Sequence, residues 1–447
     1  MKPKVLLFSL CLASLMSVGA AAATPAGSDG GETDSTEETT KKKRDWKSRF
    51  TIGGYGEAVF SRNFYSENWK RYSDATKFKD DKGHNRFDLP HVVIMLGYDF
   101  GKGWSMGTEI EFEHGGTESA VEIEEEETGE YESEIERGGE VALEQFWIQK
   151  SFNEALNLRL GHMVVPVGLT NSGHLPTQFF GVYRPEGDNT IIPCTWHETG
   201  VGLWGRTRDW RYEVMLVAGL DADRFNNQNW VQGGAGSPYE FKIGNSVAGA
   251  ARVDWYGVRG LRIGVSGYYG NSASNSLKRD KFKDLKGSVG IGSVDFEYAG
   301  YGLVARGSFL YGHLSNSGEI AEANRSLKGM GISPGTNIGS DAMSAGVEAG
   351  YDFFSLSDKL RSKEQKFYVF FRYDFYDPMW KMGKTKRGQQ LLDEEQWGRQ
   401  RFAAGINYFP MDDIVIKAEY SYRKFKSQFN DEPSFSLGVA YAGLFTK

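Results

Sequence analysis

The sequence predicts an all-β fold, a transmembrane antiparallel β-barrel of about 16 strands with short periplasmic turns and long extracellular loops. Three observations carry this expectation. From Phe50 onward apolar and polar residues alternate with a period of two. The segments that alternate form an even set of sixteen. Their connections alternate between short turns and long loops, as an up-and-down antiparallel wall requires.

Residues 1–23 read as a secretory signal peptide. Lys2 and Lys4 give the positive start, residues 5–16 the apolar stretch, and residues 20–23 small-residue cleavage sites. Its removal takes away two lysines and no acid, so the formal charge moves from −7 to −9. Cys11 follows Leu10 inside the apolar stretch, without the small residue that lipidation needs, which leaves Cys194 as the single cysteine of the mature chain. An exported chain with one cysteine has no internal disulfide. Residues 24–49 are polar and aperiodic, with a basic cluster at 41–44, and read as a solvated linker.

The barrel is expected over residues 50–447. Strand patterns fall near 50–60, 87–98, 103–113, 140–150, 155–162, 198–206, 209–220, 247–256, 260–270, 292–299, 302–312, 343–353, 366–376, 400–409, 413–423 and 434–445. In the third, Trp104, Met106, Thr108, Ile110 and Phe112 share one face, and Ser105, Gly107, Glu109 and Glu111 the other. In the fifteenth, Ile414, Ile416, Ala418, Tyr420 and Tyr422 oppose Lys417, Glu419, Ser421 and Arg423. Short turns join the second strand to the third, the eighth to the ninth and the fourteenth to the fifteenth. Loops of roughly 10–35 residues are expected to fill the other gaps. Residues 354–365 form a longer, charged turn. No stretch shows a sustained helical period.

The physics of such a wall is direct. Backbone in hydrocarbon must satisfy every N–H and C=O internally, so the sheet must close on itself. Its outer face is then apolar, its inner face polar, and aromatics gather at the two interfaces. The 11 Trp, 22 Tyr and 29 Phe fit that pattern, and a mean hydropathy of −0.48 does not oppose it, because half of each strand and all loops face water. Helical membrane proteins and disordered chains are excluded by the lack of long apolar runs and by the aromatic content. The acidic net charge excludes a general pull toward nucleic acid.

Several blocks resemble a known family. Residues 179–205 read FFGVYRPEGDNTIIPCTWHETGVGLWG. The Arg184-Pro185-Glu186 triplet, Ile191-Ile192-Pro193 and Trp196-x-Glu198-x-Gly200-x-Gly202 resemble the divergent branch of the phosphate-selective porin O and P family. So do Phe112-Glu113-His114-Gly115-Gly116, Gly138-Gly139-Glu140-Val141, and the stretch from Gly161-His162 to Val167-Gly168. Members of that branch often carry acidic residues after the Gly-Leu matched by Gly168-Leu169, where this chain has Thr170-Asn171-Ser172-Gly173-His174. The resemblance implies a trimeric outer-membrane porin passing small hydrophilic solutes or ions, with phosphate-like anions as one class. The last strand, with Phe435, Leu437, Val439, Tyr441 and Phe445 alternating, resembles the signal read by the barrel insertion machinery, although Thr446 and Lys447 follow the final aromatic.

The candidate functional residues follow from this reading. The long fifth-to-sixth connection, about 163–197, bears His174, Arg184, Glu186, Asp188 and His197 and has two readings: a constriction loop folded into the lumen, with Arg184 and Glu186 as a polar pair, or an exterior loop whose charges pair with each other. Parity puts Arg159, Arg211, Arg252, Arg262, Arg306, Arg372 and Lys417 on the pore lining. It puts Glu109, Glu111, Glu213, Asp254, Asp295, Glu297, Glu348, Asp374 and Glu419 there too, so charge nearly cancels. Residues 118–136 hold ten Glu and no Lys or Arg, a solvated hairpin tip in which Glu124, Glu125, Glu126 and Glu127 are weak Ca²⁺ or Mg²⁺ candidates without EF-hand spacing. Seven His show no zinc-type spacing, and nucleophile-elbow and Walker loops are missing, so no enzyme and no cofactor are expected. Gly53-Gly54-Tyr55-Gly56 sits in a strand with no following helix. Expected partners are outer-membrane lipid, lipopolysaccharide, the insertion machinery and two further copies in a homotrimer. The alternative is a surface barrel whose loops bind glycan or lipopolysaccharide.

Overall fold

A computed structural model describes residues 46–72, 74–114, 122–125, 131–134, 141–193, 195–236, 242–394, 397–426 and 431–446. The expected signal peptide, most of the linker, Cys194, Glu126 and Glu127 lie outside these residues.

Sixteen antiparallel strands form one closed barrel. They are β1 Phe50–Asn63, β2 His84–Asp88 continued as His91–Gly101, β3 Trp104–Glu113, β4 Val141–Asn153, β5 Leu156–Val164, β6 His197–Arg206, β7 Trp210–Ala218 and β8 Val247–Val258. There follow β9 Leu261–Asn271, β10 Ser288–Gly300, β11 Leu303–Leu314, β12 Gly339–Asp352, β13 Lys366–Met382, β14 Arg399–Met411, β15 Ile414–Phe425 and β16 Glu432–Leu444. Each strand pairs with its sequence neighbours. β1 also pairs with β16, from Gly53 opposite Leu444 to Asn63 opposite Ser434, so no edge is left.

Local chemistry explains the departures from a plain alternation. The second strand breaks at Leu89-Pro90 because proline brings no N–H to the ladder. Both halves still pair with β1, with Val59 opposite Asp88 and Gly56 opposite Val92. The β2–β3 turn needs three successive left-handed residues, Gly101 (φ 83°), Lys102 (56°) and Gly103 (78°), which two glycines make cheap. The β4–β5, β6–β7 and β10–β11 connections prove as short as the three expected. Strand β13 runs six residues past the expected end at 376, to Met382. Beyond the barrel wall, Glu122–Glu125 pairs with Tyr131–Glu134 as a separate hairpin within the acidic run, Glu124 and Glu125 lying in its first strand.

Short helices interrupt the long loops: α1 (Leu169–Ser172), α2 (Glu186–Ile191) and α3 (Ser317–Arg325). Nine-residue α3 corrects the expectation of no helix. Its buried Ser317, Ile320, Ala321 and Asn324 do follow a helical period, but only two of them are apolar, too weak a signal beside sixteen strands.

The outer face is apolar. Val253, Val265, Val294 and Phe309 stand directly opposite one another on β8, β9, β10 and β11, each 44–54% exposed. Such a row on a closed sheet is a lipid-facing belt. The interior is not uniformly wet. Val165, Val167, Ile191, Ile192 and Trp196 join Trp147, Met163, Met215 and Val217 of the wall. With Phe225, Trp230, Val231, Ile320 and Leu327 of the long loops they form one buried apolar core. A barrel of this strand number ordinarily leaves an aqueous channel; here part of that space is packed with side chains.

Candidate functional site

The segment between β5 and β6 turns into the barrel and is tied at its neck. The Val165 N–H donates to the Trp196 carbonyl at 2.7 Å. Asn171 clamps both ends: its Nδ2 donates to the Val165 carbonyl, and its Oδ1 accepts from the Trp196 N–H at 2.5 Å. Gly168, with φ 81°, turns the chain inward, and its N–H donates to Ser266 Oγ at 3.1 Å.

From there the wall holds the loop by its backbone. Arg252 Nη1 donates to the Gly168 carbonyl (3.2 Å) and Arg306 Nη1 to the Gln178 carbonyl (2.7 Å). Lys417 Nζ donates to the Phe179 and Gly181 carbonyls at 2.8 and 2.7 Å, and Asn407 Nδ2 to the Phe180 carbonyl at 3.0 Å. Arg372 Nη1 donates to the Tyr183 carbonyl at 3.2 Å. Acids take the N–H groups: Glu348 accepts from Phe180, and Glu419 Oε2 from Val182 at 2.9 Å. An irregular segment in a barrel interior must find partners for its backbone, and these charged side chains supply them.

The same residues pair among themselves. Arg252 and Arg262 both contact Asp254 and Asp295 within 2.7–2.8 Å, and Arg262 Nε reaches Glu297 at 2.7 Å. Arg306 meets Glu348 (2.9 Å), Arg372 meets Asp374 (2.6 Å) and Arg211 meets Glu213 (2.6 Å). Arg159 donates to Gln149 Oε1 and lies over the Trp147 ring. The residues that parity places on the lining thus face inward, but most of their charge is spent on the loop or on each other, and Arg252, Arg372 and Lys417 are at most 2% exposed.

The loop tip carries the Arg184-Pro185-Glu186 triplet, and its two charges face different walls. Glu186 sits against Arg401 of β14 and Arg423 of β15. Arg423 Nε donates to Oε2 at 3.0 Å, and the Tyr376 hydroxyl donates to the same oxygen at 2.5 Å. Burial alone would push the Glu186 carboxyl up, but the two guanidinium groups outweigh it and hold it well below the usual range. Arg184 faces the other way, where its charge acts on Glu57, His91 and Glu144. Behind the tip, Asp188 Oδ1 accepts from Ser308 (3.2 Å) and Ser344 (3.1 Å), and burial pushes its carboxyl up. His174 is buried against Asn171 and Tyr55, and burial together with Arg184 pushes its pKa down to about 3, so it is neutral. His197 lies outside the loop proper. It is the first residue of β6, and its Nδ1 lies 2.5 Å from His162 Nε2 of β5.

The wall facing Arg184 is acidic. Glu57 of β1, Glu109 and Glu111 of β3 and Glu144 of β4 are all buried, with Glu113 at the strand end. Glu144 could not be read from alternation. Trp147 and Gln149 face inward, so strict parity would turn Glu144 outward. A bulge opposite Glu109 and Ile110 inserts one residue and re-aims it. Arg401 and Arg423 fall on the polar faces of strands that the sequence marks; only the loop's path brings them to Glu186.

The comparisons agree with this architecture. No protein-family profile matches the chain. An uncharacterized protein of Aquifex aeolicus is 25% identical over 402 residues, 86% of this chain and 78% of that one. Two solved porin structures share the fold. Pseudomonas putida OprB at high pH has a TM-score of 0.51 at 10% identity, over 89% of this chain and 95% of its own. Salmonella typhi OmpF, in complex with daunomycin, has a TM-score of 0.50 at 11% identity, over 89% and 99%. The chain therefore has the fold of an outer-membrane porin, a closed sixteen-stranded antiparallel barrel, here with its fifth-to-sixth connection turned inward.

Proposed function

We propose that the protein is an outer-membrane channel for passive diffusion of small hydrophilic solutes or ions, with the inward loop setting the passage. The observation that carries this reading is the loop tip, anchored by Glu186 to Arg401 and Arg423 on one side and presenting Arg184 to an acidic wall on the other. The apolar core closes the side of β5–β11. On this reading the route runs past the tip along β1–β3 and β15, where Tyr183, Arg184, Glu186, His91 and Arg423 are half-buried rather than buried. Because the basic wall residues, Arg423 among them, are paired with acids, and the five Glu on the wall facing Arg184 outnumber it, we read a preference for cations. The phosphate reading is supported by the motif blocks alone. Export by the N-terminal segment and assembly as a homotrimer belong to the same proposal.

A second reading has one observation in its favour. The wall charges are almost fully buried, as in a barrel filled by its own loop. A surface barrel binding glycan or lipopolysaccharide would look like this. Planar-bilayer recording across a KCl gradient separates the two. The channel reading expects ohmic steps, smaller than a lumen free of protein would give, with a cation-selective reversal potential that Arg184→Ala increases. Silent bilayers containing folded protein would leave the binding barrel as the better reading.

A further inference from the structure

We propose that His91, Glu111 and Glu113, backed by Glu57, bind one divalent transition-metal ion of the Zn²⁺ type at the long-loop end of the barrel interior. The donor atoms of His91, Glu111 and Glu113 lie within 4.8 Å of one another. His91 Nδ1 is 2.7 Å from Glu111 Oε1 and 3.8 Å from Glu113 Oε1, while its Nε2 lies 3.9 Å from Glu57 Oε1. Both ring nitrogens thus face carboxylates. The residues stand on three adjacent strands, with His91 opposite Glu113, Val93 opposite Glu111 and Gly56 opposite Val92, so the closed sheet fixes their spacing. This is why a search for local histidine spacing does not find them.

A second observation points to a missing cation. Glu144 is fully buried on the same wall, and its Oε1 has no hydrogen-bond partner. A buried carboxylate oxygen without a donor is costly. Elsewhere on the wall such acids are matched, as Asp254 and Asp295 are by Arg252 and Arg262. Here five carboxylates, Glu57, Glu109, Glu111, Glu113 and Glu144, share the quadrant that Arg184 faces. A bound dication adds positive charge beside this group.

The donor set selects the ion class. One imidazole with carboxylates suits Zn²⁺ or Mn²⁺, whereas Ca²⁺ takes six to eight oxygens and gains nothing from the histidine. Glu113 gives the site a side toward solvent: its side chain is 33% exposed, while that of Glu111 is 4% exposed. The connection that follows Glu113 carries ten Glu between 118 and 136, which raises the local cation concentration without forming part of the site.

The test is a Zn²⁺ titration of the refolded full mature chain in detergent micelles. His162 and His197 are replaced by alanine to remove the other histidine pair, and folding is verified by heat-modifiable gel mobility. One Zn²⁺ per chain is expected, with His91→Ala and Glu111→Gln each weakening binding at least tenfold and Asp341→Asn, on β12, leaving it unchanged. Absence of binding to the folded barrel, or binding that survives the His91→Ala/Glu111→Gln pair, overturns the assignment. The titration needs no conductance, so its outcome is independent of whether the barrel is a diffusion channel.

Discussion

Replacing Glu186 by alanine is expected to loosen the inward loop and cost about 3 kcal/mol of stability, the usual penalty for removing one partner of a buried ion pair. Glu186 is the common partner of Arg401 and Arg423, and Tyr376 also donates to it. Its loss leaves Arg401 to Glu419 and Ser421, and Arg423 to Glu432. Urea unfolding in micelles, followed by tryptophan fluorescence, should show a clearly lower midpoint for Glu186→Ala. Single-channel steps should become larger and noisier as the tip leaves the wall. An unchanged midpoint together with unchanged steps would mean that the tip is held by something other than this clamp.

Arginine in place of Val265 is the second large effect. Val265 sits in the middle of β9, outward, flanked by Val253 and Val294. A charge at the bilayer midplane of a barrel costs about 2–4 kcal/mol, falling toward zero at the interface. Tyr301→Arg, at the 97% exposed tip of the β10–β11 turn, should change stability by no more than about 0.5 kcal/mol. Refolding into lipid vesicles compares the two. Equal tolerance of both substitutions would place Val265 in water and remove the belt.

The legible and illegible parts of this chain divide along physical lines. Strand positions could be read because lipid outside and polar groups inside impose a period of two on every strand. Trp104 to Phe112 and Ile414 to Tyr422 show it without any knowledge of partners. The inward loop was legible from its length and its place between β5 and β6. What holds the loop was not. Arg252, Arg306, Arg372 and Lys417 read as lining charges, open to the pore or paired with acids along the wall, whereas each donates to a carbonyl of the inward loop, at least 84 residues away. Parity says which way a side chain points, not what fills the space it points into. Glu144 was lost to a bulge, which shifts parity by one without a composition signal. The buried core of Phe225, Trp230, Val231 and Leu327 was lost because it comes from connections, where apolar residues carry no period.

The wall charges have a structural consequence beyond pairing. A loop that meets Lys417, Arg372, Arg306 and Arg252 through its carbonyls, and Glu348 and Glu419 through its N–H groups, is bound along its length rather than at one point. Any motion that lifts the loop from the wall has to break several charge-assisted hydrogen bonds together, each worth roughly 1.5–3 kcal/mol. The tip is held as well, through Arg372 on the Tyr183 carbonyl and through Glu186 on Arg401, Arg423 and Tyr376, although Tyr183 and Glu186 are half-buried while the stretch from Phe179 to Val182 is buried.

The seating of the loop inside the barrel is tested most directly by a disulfide between α2 and β12. A Cβ at Gly187 lies 3.3 Å from the Ser344 Cβ, near the separation that a disulfide spans. With Cys194 replaced by serine, Gly187→Cys/Ser344→Cys should oxidise within the folded barrel to an intramolecular cross-link, seen as a gel shift that reductant abolishes. The pair Gly187→Cys/Val265→Cys, with Val265 on the lipid face, should not. A folded barrel in which the first pair stays reduced, or in which both pairs cross-link alike, would contradict a loop seated against β12.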